Sequence, residues 1–440
     1  MPAAQTEATV RHELTALLAN ARLRTDGLFA LVRPDFLYER PIAERHRIIF
    51  YIGHLEAFDW NLFHEPVLGL KSFHPEFDRL FAFGIDPVGG GLPTDKPADW
   101  PSIAAVQEYV RRIRETLDEN LEARISDVGG AESFARDGFA LATLLNVAIE
   151  HRLMHAETLA YMLHQLPVDR KVPQLDPPEI IRPAAVPDTV EIPGGTITLG
   201  LKRGSEFFGW DNEYESHAID VPAFGIDRYK VTNRQYLEFI GAGGYEAREL
   251  WSEDDWNWKS ERRISHPAFW TRRGDEWLYR TMFAEVALPL DWPVYVSHAE
   301  ATAYARWAGK SLPAEAEWQR AASAAPRGNG DEPEGAFGNF DFVRWNPVPV
   351  NAFPANRSAF GVEGMLGNGW EWTSTKFAPF PGFEPFPFYH GYSADFFDGK
   401  HFVLKGGSAR TAACMLRPTF RNWFQPHYQF AYTGFRCVSR

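Results

Sequence analysis

Two histidines four residues apart, His151 and His155, interrupt an otherwise apolar helical stripe. Residues four apart on a helix lie one above the other, so both imidazoles point the same way. The stripe is Leu141, Leu144, Ala148, His151, His155, Leu159 and Met162, which places the pair on a face that looks into a core. Inward paired imidazoles suit two roles: nitrogen ligands to Zn, Fe or Ni, or hydrogen-bonded core residues. Glu157, two residues further on, leaves that face and reads as a solvated or supporting carboxylate.

A catalytic metal needs a third protein ligand and open coordination positions. His54 is a candidate, because it follows Phe50 and precedes Ala57 and Phe58 on an inward stripe. His12, His46, His64 and His74 compete from more polar or loop-like surroundings. Near the C-terminus, Phe388-Tyr-His-Gly-Tyr-Ser393 and Thr419-Phe-Arg-Asn-Trp-Phe424 are rich in groups able to face a ligand. Tyr389 offers a phenol for proton donation, Asn422 an amide, and Trp423 a π-face for a cationic ammonium. Each of these also reads as core packing.

The histidines need a scaffold of helices. Apolar periodicity predicts helices over 6–30 (stripe Val10, Leu14, Leu17, Ala21), 41–63, from Ser102 (Val106, Val110, Ile113, Leu117), and 133–165. Four amphipathic helices imply a bundle over 1–165. The connection 64–100, with glycines at 89–91, is too extended for a simple hairpin and is placed to cover a site. Residues 166–189 are rich in proline and predict an extended strap. From 190 to 440, short apolar runs alternate with Gly, Pro, Asn and aromatics, with helices predicted only over 233–240, 297–308 and 313–322. The whole is an α+β chain of two domains, without tandem repeats.

Bulk properties narrow the class. A net charge of −13, from 45 Lys+Arg against 58 Asp+Glu, argues against a nucleic-acid partner. No apolar run is long enough to span a bilayer, and the N-terminus lacks a basic-then-apolar signal. Two cysteines, Cys414 and Cys437, cannot build a disulfide framework. A soluble cytoplasmic protein is expected, with no membrane partner.

Several blocks of the second domain carry a resemblance: Tyr229-Lys-Val-Thr-Asn233, Leu312-Pro-Ala-Glu-Ala-Glu-Trp318, Gly367-Asn-Gly-Trp-Glu-Trp-Thr373, Leu404-Lys-Gly-Gly-Ser408 and Gly434-Phe-Arg-Cys437. Together with His151-x-x-x-His155-x-Glu157, they make the chain similar to the ergothioneine-type sulfoxide synthases. In that family a DinB-like four-helix bundle precedes a formylglycine-generating-enzyme-like (C-type-lectin-like) domain. The resemblance covers nearly the whole chain. It implies an Fe(II) site of His54, His151 and His155, O2 as oxidant, and hercynine (histidine betaine) as acceptor of a new bond at imidazole C2. It implies Tyr389 as proton donor, ahead of Tyr392-Ser393 and Phe396-Phe397, with Asn422 and Trp423 facing the betaine. A structural calcium ion is a further possibility.

The departures concern the donor. Many family members follow Asn-Trp with an aspartate that grips the amino group of a cysteine-type donor; here the residue is Phe424. A polar residue that reaches the imidazole in some members is replaced by Met154. Arginines that hold a γ-glutamyl-cysteine donor have no clear equivalent in 64–100. An aromatic side chain suits a sugar ring better than an ammonium, so the chain resembles the selenoneine synthase branch, which uses a selenosugar. The alternatives are carbon–sulfur coupling with cysteine or γ-glutamyl-cysteine, a zinc thiol transferase, copper-dependent formylglycine generation, which would want two neighbouring cysteines, and a non-catalytic binding module.

Overall fold

A computed structural model of the chain describes residues 7–82, 92–126, 138–205, 207–323 and 337–440. It divides into two compact units, Met1–Pro173 and Gln174–Arg440. The glycines at 89–91 lie outside the described residues.

The first unit holds helices α1 (Glu7–Phe29), α2 (Ile48–Phe63), α3 (Pro75–Leu80), α4 (Ile103–Ser126) and α5 (Leu141–His164). α1 packs on α5 and α4, and α2 packs on α3, α4 and α5. The outer helices are amphipathic, as their periodicity predicts. α4 buries Val106, Tyr109, Ile113, Leu117 and Leu121, and α1 buries Leu14, Leu18, Ala21 and Leu28. Leu17, expected in the α1 stripe, is 54% exposed; the stripe passes through Leu18 and Thr25 instead. Helices α2 and α5 are not amphipathic, contrary to expectation. They are buried on nearly every side, as a central pair must be.

Two boundaries also differ from expectation. α2 begins at Ile48 rather than 41, after a run of turns. The first N–H groups of a helix lack internal partners, and here the preceding chain folds back to take them. Ile48 N donates to Glu39 O at 3.1 Å and Ile49 N to Leu37 O at 2.8 Å. α5 begins at Leu141 because Ala140 is extended; the expected start at 133 lies outside the described residues.

Burying α2 and α5 all round forces their polar residues to find partners inside. Arg152 of α5, fully buried, donates to Glu56 (2.9 Å), Asp59 (2.7 Å) and the Leu55 carbonyl (3.0 Å), all on α2. Arg114 of α4 joins Glu56 (2.7 Å) to Asp26 of α1 (2.7 Å), and Arg22 of α1 meets Asp118 of α4 at 2.6 Å. Burial pushes the Glu56 carboxyl up, but Arg152, Arg114 and Arg22 outweigh it and hold Glu56 below the usual carboxylate range. Four helices thus share one ion network, which fixes the rotation of α2 against α5.

The second unit runs β1 (Thr189–Ile192), β2 (Gly195–Leu199), β3 (His217–Val221), β4 (Phe224–Asp227), α6 (Asn233–Gly241), α7 (Glu253–Glu261), β5 (Trp270–Arg273), β6 (Glu276–Arg280), β7 (Glu285–Ala287), α8 (His298–Trp307), α9 (Glu315–Ala321), β8 (Trp370–Lys376), β9 (Phe402–Lys405), β10 (Asn422–Phe424), β11 (Thr433–Gly434) and β12 (Val438–Ser439). Small sheets of order β1-β4-β12, β2-β3 and β5-β6-β7 accompany a four-stranded sheet, β10-β9-β8-β11. An apolar cluster including Ile192 of β1, Ile226 of β4, Trp318 of α9, Met365 and Val438 of β12 packs these elements together. Mixed helix and strand make the chain α+β.

The sequence blocks singled out above are the stitching of this unit. Glu371 in β8 accepts from two of the three side-chain nitrogens of buried Arg436 (2.6 and 3.0 Å) and lies 3.2 Å from Lys230. Glu315 on α9 takes Arg421 (2.9 and 3.1 Å), with Lys405 of β9 at 3.9 Å. Arg421 immediately precedes β10, so the second network fixes the strand that carries Asn422, Trp423 and Phe424.

Candidate metal centre and active-site residues

His54 on α2 and His151 and His155 on α5 meet in the core of the first unit, all three buried. His54 Nε2 lies 3.2 Å from His155 Nε2, which lies 3.2 Å from His151 Nε2. Two nitrogens bound about 2.1 Å from one ion stand roughly 3.0–3.4 Å apart, so this spacing fits ligands around a single point. The competing histidines are occupied elsewhere. His46 stacks on Phe50, His64 Nδ1 bonds the Trp60 carbonyl, and His74 caps α3. His12 is exposed on α1. Among the described residues no other group of three or more His, Cys, Asp or Glu donors converges.

The protonation states suit a metal. Burial lowers the His54 pKa to about 4, and lowers His155 and His151 well below the ordinary histidine value. All three are therefore neutral near pH 7. The His54 Nδ1–H donates to the Phe81 carbonyl at 2.7 Å, which leaves a lone pair at Nε2 aimed at its two neighbours. Neutral imidazoles with converging lone pairs, and no carboxylate among the clustered donors, fit a divalent transition metal with open positions. Phe58 stacks on His151 at 3.5 Å and Phe50 on His54 at 4.8 Å, so aromatic faces hold the rings in orientation.

The connection 64–100 reaches this site, since Phe81 follows α3. Gly53 makes its approach possible: a Cβ there would sit 2.5 Å from the Phe81 ring. Phe81 is fully buried and packs near Trp100 and Tyr109, so the ring has little room to retreat. Gly53→Ala is expected to displace the carbonyl from His54 and weaken metal binding about tenfold to a hundredfold. A chelator-competition titration with Co(II) measures this; an affinity within twofold of wild type would show the Phe81 contact to be incidental.

Burial narrows one expectation near this site. Glu157 is buried rather than solvated, because α5 has almost no solvent face. Met154 is partly buried one turn from His151, and its carbonyl accepts from the Thr158 hydroxyl at 3.1 Å.

In the second unit, Tyr392 links the other candidates. Its ring lies 5.6 Å from that of Tyr389 and 5.4 Å, edge to face, from that of Trp423. Trp423 stacks on Phe377 at 4.2 Å and lies 5.5 Å from Phe396, an aromatic enclosure suited to a quaternary ammonium. Asn422 Oδ1 accepts from Trp423 N at 2.8 Å, which leaves its Nδ2 hydrogens as donors toward an anion. Burial, and then the Asp211 charge, raise the Tyr389 phenol above the ordinary tyrosine value, so it carries its proton at neutral pH. Phe424 stacks on Tyr428 at 4.9 Å with rings 5° from parallel.

Sequence reading missed several neighbours of these residues. Trp210 stacks on Tyr392 at 4.0 Å, and fully buried Asp211 accepts from Ser393 Oγ at 2.6 Å. They lie in a single 3-10 turn, Asp211–Glu213 with its preceding residue, which has no periodic signature. Helix α7 also went unanticipated, although Ser252 caps it and acidic residues fill its first turn. It brings Asp255 to His427 (2.8 Å), whose ring stacks on Trp258 at 4.5 Å.

Comparison with known proteins fits these two halves. The model of the Sulfatase-modifying factor enzyme 1-like domain matches residues 177–440, and that of the DinB superfamily matches 17–159. A protein of Mycolicibacterium smegmatis named hercynine oxygenase is 36% identical across 96% of this chain and 99% of its own. A hercynine oxygenase of Mycolicibacterium thermoresistibile is 40% identical across 77% of this chain and 75% of its own. Ergothioneine biosynthesis protein 1 of Neurospora crassa is 28% identical across 91% of this chain, but only 55% of its own length. The chain belongs to the ergothioneine-type sulfoxide synthase family, oxidative enzymes that join a DinB-like bundle to a formylglycine-generating-enzyme-like domain.

Proposed function

We propose that the protein is an Fe(II)- and O2-dependent synthase that forms a bond from selenium, or alternatively sulfur, to imidazole C2 of hercynine. The observation that carries this reading is the convergence of three neutral, buried imidazole nitrogens at 3.2 Å spacing, within a chain matched end to end by a hercynine oxygenase. His54, His151 and His155 hold the iron, which supplies redox chemistry with O2. One O2 takes the hydrogens of the donor's chalcogen and of imidazole C2 as water, and leaves its second oxygen on the selenium or sulfur. Trp423 faces the trimethylammonium of hercynine and Asn422 Nδ2 its carboxylate. Tyr389, protonated at neutral pH, is the proton donor.

The donor reading rests on Phe424. A cysteine-type donor brings an ammonium, and burying one without a counter-charge costs several kcal/mol. The Phe424–Tyr428 slab supplies no such charge, and Asp255 already serves His427 (2.8 Å) and Ser252 (2.6 Å). A selenosugar, as in selenoneine biosynthesis, offers an apolar ring face instead. Sulfur coupling with cysteine or γ-glutamyl-cysteine, as in ergothioneine biosynthesis, is the second reading, favoured by the name of the fungal relative. Iron-loaded protein with hercynine and an equal mixture of a selenosugar, cysteine and γ-glutamyl-cysteine in air decides between them by mass spectrometry. The sugar adduct is expected to dominate; a dominant amino-thiol adduct favours the sulfur reading, and no hercynine adduct at all overturns both.

A further inference from the structure

We propose that Asp211, acting with Ser393, is the positioning residue that clamps the turn bearing Tyr389. The inference rests on the proton-donor reading of Tyr389 given above. The segment 386–393 is built on two backbone bonds, Tyr389 N to Phe386 O (3.0 Å) and Tyr392 N to Tyr389 O (3.1 Å). A phenol that moves a proton must be held in place. The Asp211 carboxylate supplies a constraint from outside the segment. At one end of the segment Ser393 Oγ donates to Asp211 Oδ1 at 2.6 Å, both residues being fully buried. At the other end the backbone N–H of Phe386 bonds to the same carboxylate. One side chain therefore grips both ends.

The neighbouring ring completes the clamp. Trp210 lies face to face with Tyr392 at 4.0 Å and edge-on to Tyr389 at 6.4 Å. The turn that delivers Trp210 and Asp211 is itself pinned: Glu213 takes Arg417 (2.9 Å) and the Thr419 hydroxyl (2.6 Å), and the Asn212 carbonyl takes Arg421 (3.3 Å). Glu213 and Glu315 pair with arginines, whereas Asp211 pairs with none among the described residues. Burial, aided by the Glu213 charge and opposed by Ser393 and two backbone N–H groups, raises its pKa to about 6. A buried carboxylate without a cation is a costly choice for holding a loop. It has a second effect here, since its negative charge opposes ionisation of Tyr389.

Asp211→Asn and Ser393→Ala test the clamp, with Tyr389→Phe as reference. Hydrogen–deuterium exchange of metal-free protein should show faster exchange over 386–393 in both variants, with 48–63 and 141–164 unchanged. In iron-loaded protein, kcat for coupling should fall about tenfold to a hundredfold while the KM for hercynine stays within about twofold. The ratio of donor consumed to adduct formed should rise, in the same direction as in Tyr389→Phe. Unchanged exchange over 386–393 overturns the proposal. So does an unchanged consumption ratio where Tyr389→Phe alters it. If Tyr389→Phe itself leaves that ratio unaltered, the proton-donor reading fails instead, and the exchange data alone decide the clamp. Should Asp211→Asn not fold, Ser393→Ala, which keeps the carboxylate, carries both measurements.

Discussion

Replacing His151 by alanine is expected to leave a folded protein that binds almost no iron and forms no adduct. Alanine is the strongest helix former, and α5 is held on all sides by packing and by Arg152, whose ion pairs to α2 remain. The loss should therefore be local. Two imidazoles cannot replace three: removing a ligand from a site with no spare donor in its group sacrifices most of the affinity. Coupling should drop to roughly a thousandth of wild type or less, and metal analysis of anaerobically loaded protein should find little iron. His46→Ala is the matched control. His46 lies within the same aromatic cluster, stacked at 4.1 Å on Phe50, so its loss should spare the metal. Full iron retention in His151→Ala would place the metal elsewhere.

The second large effect is expected at Phe424. Phe424→Asp should lower turnover with a selenosugar about tenfold to a hundredfold and raise turnover with cysteine or γ-glutamyl-cysteine. The change trades half of a stacked pair, Phe424 on Tyr428, for a carboxylate able to meet an ammonium. Phe424 is partly exposed at the end of β10, so the substitution should cost little stability. KM and kcat for each donor, measured separately, report the switch. Loss of turnover with every donor would mean that the slab is structural, and an unaltered preference would remove Phe424 from the donor site.

The convergence of the three histidines was legible because a helix converts spacing into direction. His151 and His155 fall on a stripe whose other members are all buried, and His54 follows the same logic on α2. What the stripe could not disclose was the other side of those helices. Arg152, Glu56 and Asp59 look like surface charges in sequence, yet they form the buried network that aligns α2 with α5. Periodicity identifies one apolar face and falls silent when both faces are inside. The Gly367–Thr373 and Gly434–Cys437 blocks were legible as motifs, but their role as ion-paired stitching needed the pairing of Glu371 with Arg436. Asp211 and Ser393 are 182 residues apart in the chain, with no local pattern around either, so only the fold brings them together.

No described helix is long and apolar enough to cross a membrane, and the chemistry proposed here joins small polar molecules. Its central claim is that the imidazole C2–H bond is replaced in an oxygen-dependent step. Hercynine deuterated at C2, incubated with the iron-loaded protein and a selenosugar or thiol donor, tests this most directly. In air the adduct should carry no deuterium at C2 and one added oxygen on selenium or sulfur, and under nitrogen no adduct should form. An adduct that retains the C2 deuterium, or one that forms equally well under nitrogen with zinc in place of iron, would contradict the account.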